Sequence, residues 1–266
     1  MLPRIALFIP CFVDQLCPQV GVDMARVLRN IGCEICFPDD QTCCGQPAFN
    51  SGYWDDARSV ARRFLRVFDK AECVVGPSGS CVTMVRKFYP DLLGSLGGEG
   101  LQTVGKAEPK SGAASAAAEL GHVLSKFYEF SEFLTNVAKV DDLGASFPHR
   151  VTFHDSCHAL RELGIKQGPR RLLEKVKGLE LVEMPHAEEC CGFGGTFALK
   201  YGMISAAMGE TKSENARSTG AEFVTSIDPS CLMHLDGVLR KKQSPVKTIH
   251  LASILASDSN SAGAQP

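Results

Sequence analysis

The sequence contains no long hydrophobic run. Each apolar stretch in its 266 residues is well short of the roughly 18 residues that a membrane-spanning helix needs, so no span is predicted. An excess of charge of one sign is also absent, because 28 basic against 30 acidic residues leave a formal net charge of -2. This balance argues against a nucleic acid or an anionic membrane as the main partner, since both attract strongly basic surfaces.

The N-terminus lacks the features of a secretory signal peptide. Arg4 precedes a short apolar run that ends at Pro10, and no small-residue cleavage site follows. We therefore expect a cytoplasmic location, where thiols stay reduced, so that the 12 cysteines are expected to be metal ligands or redox groups rather than a disulfide framework. A G-x-G-x-x-G fingerprint is missing as well, which argues against hydride transfer by this chain.

The sequence does contain one cysteine pattern that occurs twice, once in each half. In each half a single cysteine is followed by a Cys-Cys-Gly turn and then by another single cysteine. The intervening segments are 31 and 36 residues long in the first half, and 32 and 39 in the second. Eight of the 12 cysteines thus form two quartets, which we predict to be the metal and cofactor ligands: Cys11, Cys43, Cys44 and Cys81, then Cys157, Cys190, Cys191 and Cys231.

Hydrophobic patterning predicts an α/β fold of two tandem duplicated domains, each a small parallel sheet with flanking helices. The apolar run over 5–9 predicts a buried strand, and the helical spacing over 20–31 predicts the helix that follows it. The second half repeats this order from residue 151, and 128–134 and 249–255 are expected to form the same terminal helix in each repeat. The predicted bounds are 1–140 with a flexible insert at about 94–118, then 148–256, then a disordered tail at 257–266.

This order of elements predicts that each quartet lies at the carboxyl ends of the strands. Right-handed crossovers bring the carboxyl-end loops of parallel strands to one edge of a sheet, where such folds bind ligands. Four thiolates from three neighbouring loops can surround a metal centre. Gly45 and Gly192 would allow close backbone approach after the paired cysteines.

The other cysteines and the nearby histidines have simpler interpretations. A free cysteine is commonly a small buried hydrophobic residue, and we expect this of Cys17, Cys33, Cys36 and Cys73. The C-x-x-C spacing of Cys33 and Cys36 falls in a predicted strand, whereas a redox pair needs a helix N-terminus. Four histidines lie near the second quartet and could donate hydrogen bonds to sulfur or shuttle protons, although a lone histidine is more often structural: His154, His158, His186 and His234.

The motifs resemble those of the CCG family, the cysteine-rich domain of heterodisulfide reductases, of the glycolate oxidase iron–sulfur subunit and of lactate-utilisation proteins. The resemblance runs from Ile5 to about Ala256, and its most specific phrases are Ile9-Pro10-Cys11, Cys43-Cys44-Gly45-Gln46-Pro47, His154-Asp155-Ser156-Cys157-His158 and Glu189-Cys190-Cys191-Gly192-Phe193-Gly194-Gly195. Two such domains without a ferredoxin-type cysteine run are most similar to the lactate-utilisation branch. The resemblance implies an iron–sulfur electron-transfer subunit of a cytoplasmic complex that oxidises L-lactate to pyruvate, with partner subunits that include a ferredoxin-like iron–sulfur protein.

The sequence departs from the family at one position that bears on the metal. The family pattern ends each domain in C-x-x-C, but the first residue of that pair is Ser78 in one repeat and Asp228 in the other. Four cysteines per site suit a [4Fe–4S] cluster in one or both domains, and equally a Cys₄ zinc at one site. Asp228 could replace a thiolate, although aspartate before proline is more often a turn former.

Two alternative functions stay open at this point. One is a zinc-stabilised scaffold subunit of the same complex or of a related complex that oxidises glycolate. The other is a thiol–disulfide oxidoreductase, which is disfavoured because a disulfide between adjacent cysteines is strained. In either case the two sites should be unequal, because Asp14 and Ser78 neighbour the first quartet, whereas the second has Asp155, Asp228 and the histidines.

Overall fold

The computed structural model of the chain describes residues 2–94 and 120–257. Apart from Gly94 and Ser257, the predicted insert and tail lie outside these ranges. Within the described residues, no helix is both long enough and apolar enough to cross a membrane.

The fold consists of two four-stranded parallel sheets built in the same way. Their strand orders are β2-β1-β3-β4 and β6-β5-β7-β8, which confirms the predicted α/β class with two repeated units. The strands of the first sheet are β1 (Ile5–Leu7), β2 (Ile35–Cys36), β3 (Cys73–Gly76) and β4 (Phe127–Glu129). Those of the second are β5 (Arg150–Phe153), β6 (Glu180–Leu181), β7 (Phe223–Ser226) and β8 (Lys247–His250).

Helices flank both sheets and connect the strands. In the first repeat they are α1 (Cys11–Leu16), α2 (Pro18–Asn30), α3 (Gln46–Ser51), α4 (Trp54–Phe68), α5 (Gly79–Thr83), α6 (Tyr89–Gly94), α7 (residues 120–124) and α8 (Phe130–Glu132), with π-helical turns at Met84–Phe88 and Phe133–Ala138. In the second they are α9 (Cys157–Leu163), α10 (Gln167–Glu174), α11 (Thr196–Lys200), α12 (Gly202–Ser218), α13 (Pro229–Lys241) and α14 (Leu251–Leu255).

The last strand of each sheet corrects the sequence prediction. The prediction of a helix throughout 128–134 and 249–255 is wrong at the start of each segment, because Glu129 and His250 are the last residues of β4 and β8. Both strands pair with a central strand of their sheet, and their backbone groups gain ladder hydrogen bonds there. A short apolar run does not distinguish a strand from a buried helix. The expected helices begin one residue later, each capped by the side chain of Glu129 or His250.

The two repeats share a hydrophobic core. The terminal helix α14 of the second repeat packs against α2 of the first, and α8 of the first packs against α10 of the second. Buried side chains from both repeats, such as Met24, Phe133, Val151 and Ile254, belong to one contiguous cluster. Since apolar burial is the main favourable contribution to folding, each repeat depends on the other to cover its terminal helix. The domain boundaries at 140 and 148 stay a prediction.

Candidate metal centres

The four cysteines of the first quartet lie together at the carboxyl edge of the first sheet. Cys11 begins α1, Cys43 and Cys44 precede α3, and Cys81 lies in the first turn of α5. The Sγ atoms of Cys11 and Cys43 are 3.7 Å apart, and the Cys44 thiol interacts with those of Cys43 and Cys81. The four thiols therefore form one continuous cluster.

The second quartet repeats this arrangement. Cys157 begins α9, Cys190 and Cys191 precede α11, and Cys231 lies in the first turn of α13. The Cys190 thiol interacts with those of Cys157 and Cys191, and the Cys191 thiol in turn with that of Cys231. The structure thus brings together the cysteines of each predicted quartet, while their assignment as ligands stays a prediction that is taken up below.

Each Cys-Cys-Gly turn directs a backbone amide at sulfur. The N–H of Gly45 donates to Cys43 Sγ and that of Gly192 donates to Cys190 Sγ, both at 3.4 Å. Their φ angles of 83° and 93° lie in the left-handed region, which glycine adopts without the steric cost of a Cβ. A Cβ on Gly192 would also lie 2.6 Å from the carbonyl oxygen of Ser205. Glycine is therefore required here for both the backbone conformation and the close packing.

The thiols of each cluster hold their protons unequally. Interactions with the thiols of Cys11 and then Cys44 lower the pKa of Cys43 to about 3, and interactions with Cys157 and then Cys191 lower the pKa of Cys190 to about 2. The partner thiol of Cys11 has its pKa raised by its hydrogen bond to Cys43 and by burial. Each cluster therefore centres on one sulfur with strong thiolate character, which is the form that binds metals.

Ser78 and Asp228 occupy the position of the family's missing cysteine, and both cap helices. Ser78 Oγ accepts from the Cys81 amide at 3.4 Å, and Asp228 Oδ1 accepts from the Ser230 amide at 3.1 Å. Asp228 Oδ2 accepts from the amide of Ser80, in the other repeat, at 2.7 Å. Both carboxylate oxygens are therefore engaged, and Asp228 links the first turns of α5 and α13, which carry Cys81 and Cys231.

The layers behind the two clusters differ in polarity. In the first repeat, Phe8 is fully buried and makes an edge-to-face contact with Phe64 at 4.9 Å. The residue at the equivalent position, three before the first cysteine of the quartet, is His154 in the second repeat. Lys212 is also buried there and donates to the carbonyl oxygen of His186. The second cluster is thus backed by polar groups and the first by aromatic rings.

A buried ion pair extends the polar region behind the second cluster. The Arg170 guanidinium donates two hydrogen bonds of 2.9 Å to the carboxylate of Asp155, which is two residues before Cys157. Sequence reasoning did not single out Arg170 or Lys212, because a basic residue in a helix is usually on its solvated face. Only the tertiary structure shows that both are buried.

The four histidines named from the sequence occupy different environments. A ring nitrogen of His154 and the sulfurs of Cys191 and Cys231 all lie within 4.8 Å of one another, and burial lowers the pKa of His154 to about 4. His158 Nδ1 is 3.8 Å from Cys157 Sγ. His186 is exposed and lies 3.3 Å from a Glu189 carboxylate oxygen, and His234 Nε2 is 3.3 Å from the carbonyl oxygen of Ser205.

Comparisons with known proteins match both halves of the chain. The cysteine-rich domain family, CCG, matches residues 5–86 and 151–236, the segments that carry the quartets. "Lactate utilization protein A" of Geobacillus thermodenitrificans (strain NG80-2) is 42% identical over 252 residues, which cover 95% of this chain and 98% of that protein. "Lactate utilization protein A 1" of Bacillus mycoides (strain KBAB4) is 42% identical over 260 residues, which cover 98% and 99%.

A solved structure also shares the fold. The crystal structure of a hypothetical protein from Helicobacter pylori superposes with a TM-score of 0.62 at 11% sequence identity, and the match covers 99% of this chain and 50% of that one. At so low an identity the similarity concerns the fold alone.

Proposed function

The chain belongs to the CCG cysteine-rich domain family, and from that membership we propose that it is an iron–sulfur electron-transfer subunit of a cytoplasmic complex that oxidises L-lactate to pyruvate. The observation that carries the proposal is the convergence of four thiols at the carboxyl edge of each sheet. The names of the relatives, which are 42% identical over nearly their whole length, support the lactate-utilisation role.

The donor set fits an iron–sulfur cluster at each site. Four cysteine thiolates are the usual ligands of a [4Fe–4S] cluster, and the residues in question are the eight quartet cysteines. Such a cluster would supply one-electron transfer. The amides of Gly45 and Gly192 already donate to sulfur, and hydrogen bonds to ligand sulfur tune the potential of a cluster. Cys44 and Cys191 are almost fully buried, so the inner side of each site is shielded from water.

The conversion of lactate to pyruvate releases two electrons and two protons. The sequence of this chain has no nucleotide fingerprint for hydride transfer. We therefore assign removal of the hydrogen atoms from lactate to a partner subunit, and passage of the electrons to this chain. A ferredoxin-like iron–sulfur protein is the partner that the family resemblance implies.

A zinc-stabilised scaffold is the second candidate, and one sulfur–sulfur distance in the first quartet favours it. Cys11 Sγ and Cys43 Sγ are 3.7 Å apart. Zinc–sulfur bonds of about 2.3 Å in a tetrahedron place neighbouring sulfurs about 3.8 Å apart. A thiol–disulfide oxidoreductase is the third candidate, and it would require no metal.

Anaerobic purification of the full chain separates these candidates. Iron and acid-labile sulfide, with visible absorbance and an EPR signal on reduction, are expected, at about four irons for each [4Fe–4S] cluster. Zinc without sulfide at both sites would instead support the scaffold. Purification of a metal-free chain that takes up neither metal on reconstitution would overturn both metal proposals.

A further inference from the structure

The second cluster contains a buried imidazole without a hydrogen-bond partner. His154 is fully buried at the end of β5, and neither ring nitrogen meets hydrogen-bond geometry with any described residue. The ring does interact with the backbone of Ala187, but this contact does not meet the geometric criteria of a hydrogen bond. Burying a polar group without a hydrogen bond costs free energy, so this histidine calls for a partner that supplies the missing contact.

The polar neighbours of His154 do not supply it. The Asp155 carboxylate is held by Arg170 at 2.9 Å, and the Lys212 ammonium donates to the carbonyl oxygen of His186. What lies close to the imidazole instead is the inner pair of thiols, since a ring nitrogen and the sulfurs of Cys191 and Cys231 lie within 4.8 Å of one another. Imidazole nitrogen and thiolate sulfur are typical ligands of zinc and, in some iron–sulfur clusters, of iron.

The first repeat shows that the fold does not need a polar residue at this position. Phe8 replaces His154 there and packs against Phe64 and Phe68 at 4.9 and 5.9 Å between ring centroids. A histidine with two unsatisfied nitrogens is a poorer core residue than a phenylalanine. Its presence in the second repeat alone therefore indicates a role toward the metal centre rather than toward packing.

We infer that His154 is a metal ligand of the second centre, bound through a ring nitrogen on the same inner side as Cys191 and Cys231. This inference rests on the proposal that the quartets bind metal, and it makes the two centres chemically different. The first offers only thiolates, whereas the second offers thiolates and a neutral imidazole. A [4Fe–4S] cluster takes four protein ligands, so the imidazole would occupy one position in place of a thiolate. Replacing an anionic by a neutral donor raises the potential of an iron–sulfur centre, so the second centre should be the more easily reduced of the two.

The test uses the full chain labelled with ¹⁵N at histidine, reconstituted anaerobically with iron and sulfide and then reduced with dithionite, so that a [4Fe–4S] cluster becomes paramagnetic. The Cys44→Ala background removes a ligand of the first centre, so that pulsed EPR reports on the second. We expect ¹⁵N hyperfine coupling of the size given by a metal-bound imidazole. The Cys191→Ala background, which leaves the first centre, is the matched control and should show none. If the chain takes up zinc instead of iron, ¹¹³Cd loading and ¹¹³Cd–¹⁵N coupling in NMR replace the EPR measurement.

Two variants assign the signal. His154→Phe, which copies the first repeat, should lose the ¹⁵N coupling, and His158→Phe should keep it. The metal-free His154→Phe chain should be at least as stable to urea as the wild type, because an unsatisfied polar group is removed; a purely structural histidine would give a loss. Metal uptake without ¹⁵N coupling, or coupling that survives in His154→Phe, would overturn the inference alone. Uptake of none of these metals would overturn the proposed function as well.

Discussion

At the scale of single residues, the two quartets differ in the side chain behind their cysteines, which is Phe8 in the first repeat and His154 in the second. The quartet cysteines are recognisable because adjacent cysteines in a turn have few uses other than metal binding or redox chemistry. His154 is one of four histidines near the second quartet, and the sequence does not show which of them faces the sulfurs. Its role depends on the inward direction of its side chain, which the tertiary structure alone determines.

Gly192 gives a prediction at this scale. The Cβ of Gly192→Ala would lie 2.6 Å from Ser205 O and 2.7 Å from Met208 Cβ, in addition to the strain of a left-handed alanine. Gly45→Ala is the matched control, because it has the same strain but its nearest contact is at 3.4 Å. We expect Gly192→Ala to cost about 1 to 3 kcal/mol more in urea unfolding. Equal losses in the two variants would contradict the steric explanation.

Glu129 gives a second prediction, which concerns pH. Burial raises the pKa of this carboxyl group to about 8, above its ordinary value of 4.5. At a pH between these two pKa values, Glu129 has lost its proton in the unfolded chain but keeps it in the folded chain. The free energy of unfolding should therefore fall as pH rises from 4.5 to 8. Glu129 alone can change the free energy of unfolding by at most about 1.4 kcal/mol per pH unit.

Glu129→Gln mimics the protonated acid and tests this expectation. Its side-chain oxygen can still accept from the amides of Ser131 and Glu132, as Glu129 does, so the cap is kept. Urea unfolding from pH 4 to pH 9 should show a flatter profile for the variant, which gains stability over the wild type as pH rises. A wild-type advantage at pH 8 would show that the carboxylate is stabilised in the fold.

At the scale of elements, the central strands can be predicted from the sequence, whereas the last strand of each sheet cannot. Short apolar runs followed by Pro10 or by a polar turn predict β1, β3, β5 and β7, because a parallel strand that is buried on both faces has a nearly continuous hydrophobic sequence. The edge strands β4 and β8 are short and merge with the helices that follow them. No periodicity marks that change, so their assignment depends on pairing with β3 and β7.

Asp228 gives the prediction for elements, since it caps α13 and also accepts a hydrogen bond from the first turn of α5. Asp228→Ala should lose both the cap, worth about 1 kcal/mol, and the hydrogen-bond partner of the half-buried Ser80 amide, worth about 1 kcal/mol more. Ser78→Ala removes the cap of α5 and a hydrogen bond with Ser80 Oγ, both within the first repeat, and is the matched control. We expect urea unfolding to show the larger loss for Asp228→Ala. A loss no greater than that of Ser78→Ala would argue against the link between repeats.

At the scale of the whole molecule, the cysteine spacing predicts the duplication, but it does not predict how the two repeats pack against each other. Which helix packs against α14 depends on how two amphipathic faces meet in three dimensions, and the sequence pattern shows only that each has an apolar face. The structure places α14 against α2 of the other repeat. The two candidate metal sites therefore share one packed core, and we expect the repeats to unfold as one cooperative unit.

This shared core predicts a single unfolding transition. Ile254 lies in α14 and is fully buried in the shared cluster, so Ile254→Ala should cost about 2 to 5 kcal/mol and shift the unfolding of both repeats together. Met203→Ala, at a side chain that is 90% exposed, is the control and should change little. Two separate transitions, of which only one moves, would show that the repeats fold independently.

The final prediction concerns the complete electron path. The purified chain alone should not oxidise lactate, because it has candidate ligands for electron carriers but no nucleotide fingerprint for hydride removal. In a complex reconstituted with its partner subunits, Cys44→Ala or Cys191→Ala should abolish lactate-dependent reduction of the electron acceptor, since each removes a buried cysteine that we propose as a ligand. Cys36→Ala, outside both quartets, should retain this activity.

All three cysteine variants should keep the far-UV circular dichroism of the wild type, because the shared core packs without the metal. Lactate oxidation by the purified single chain would refute the electron-transfer role. Full activity of a complex whose chain carries both Cys44→Ala and Cys191→Ala would refute it as well.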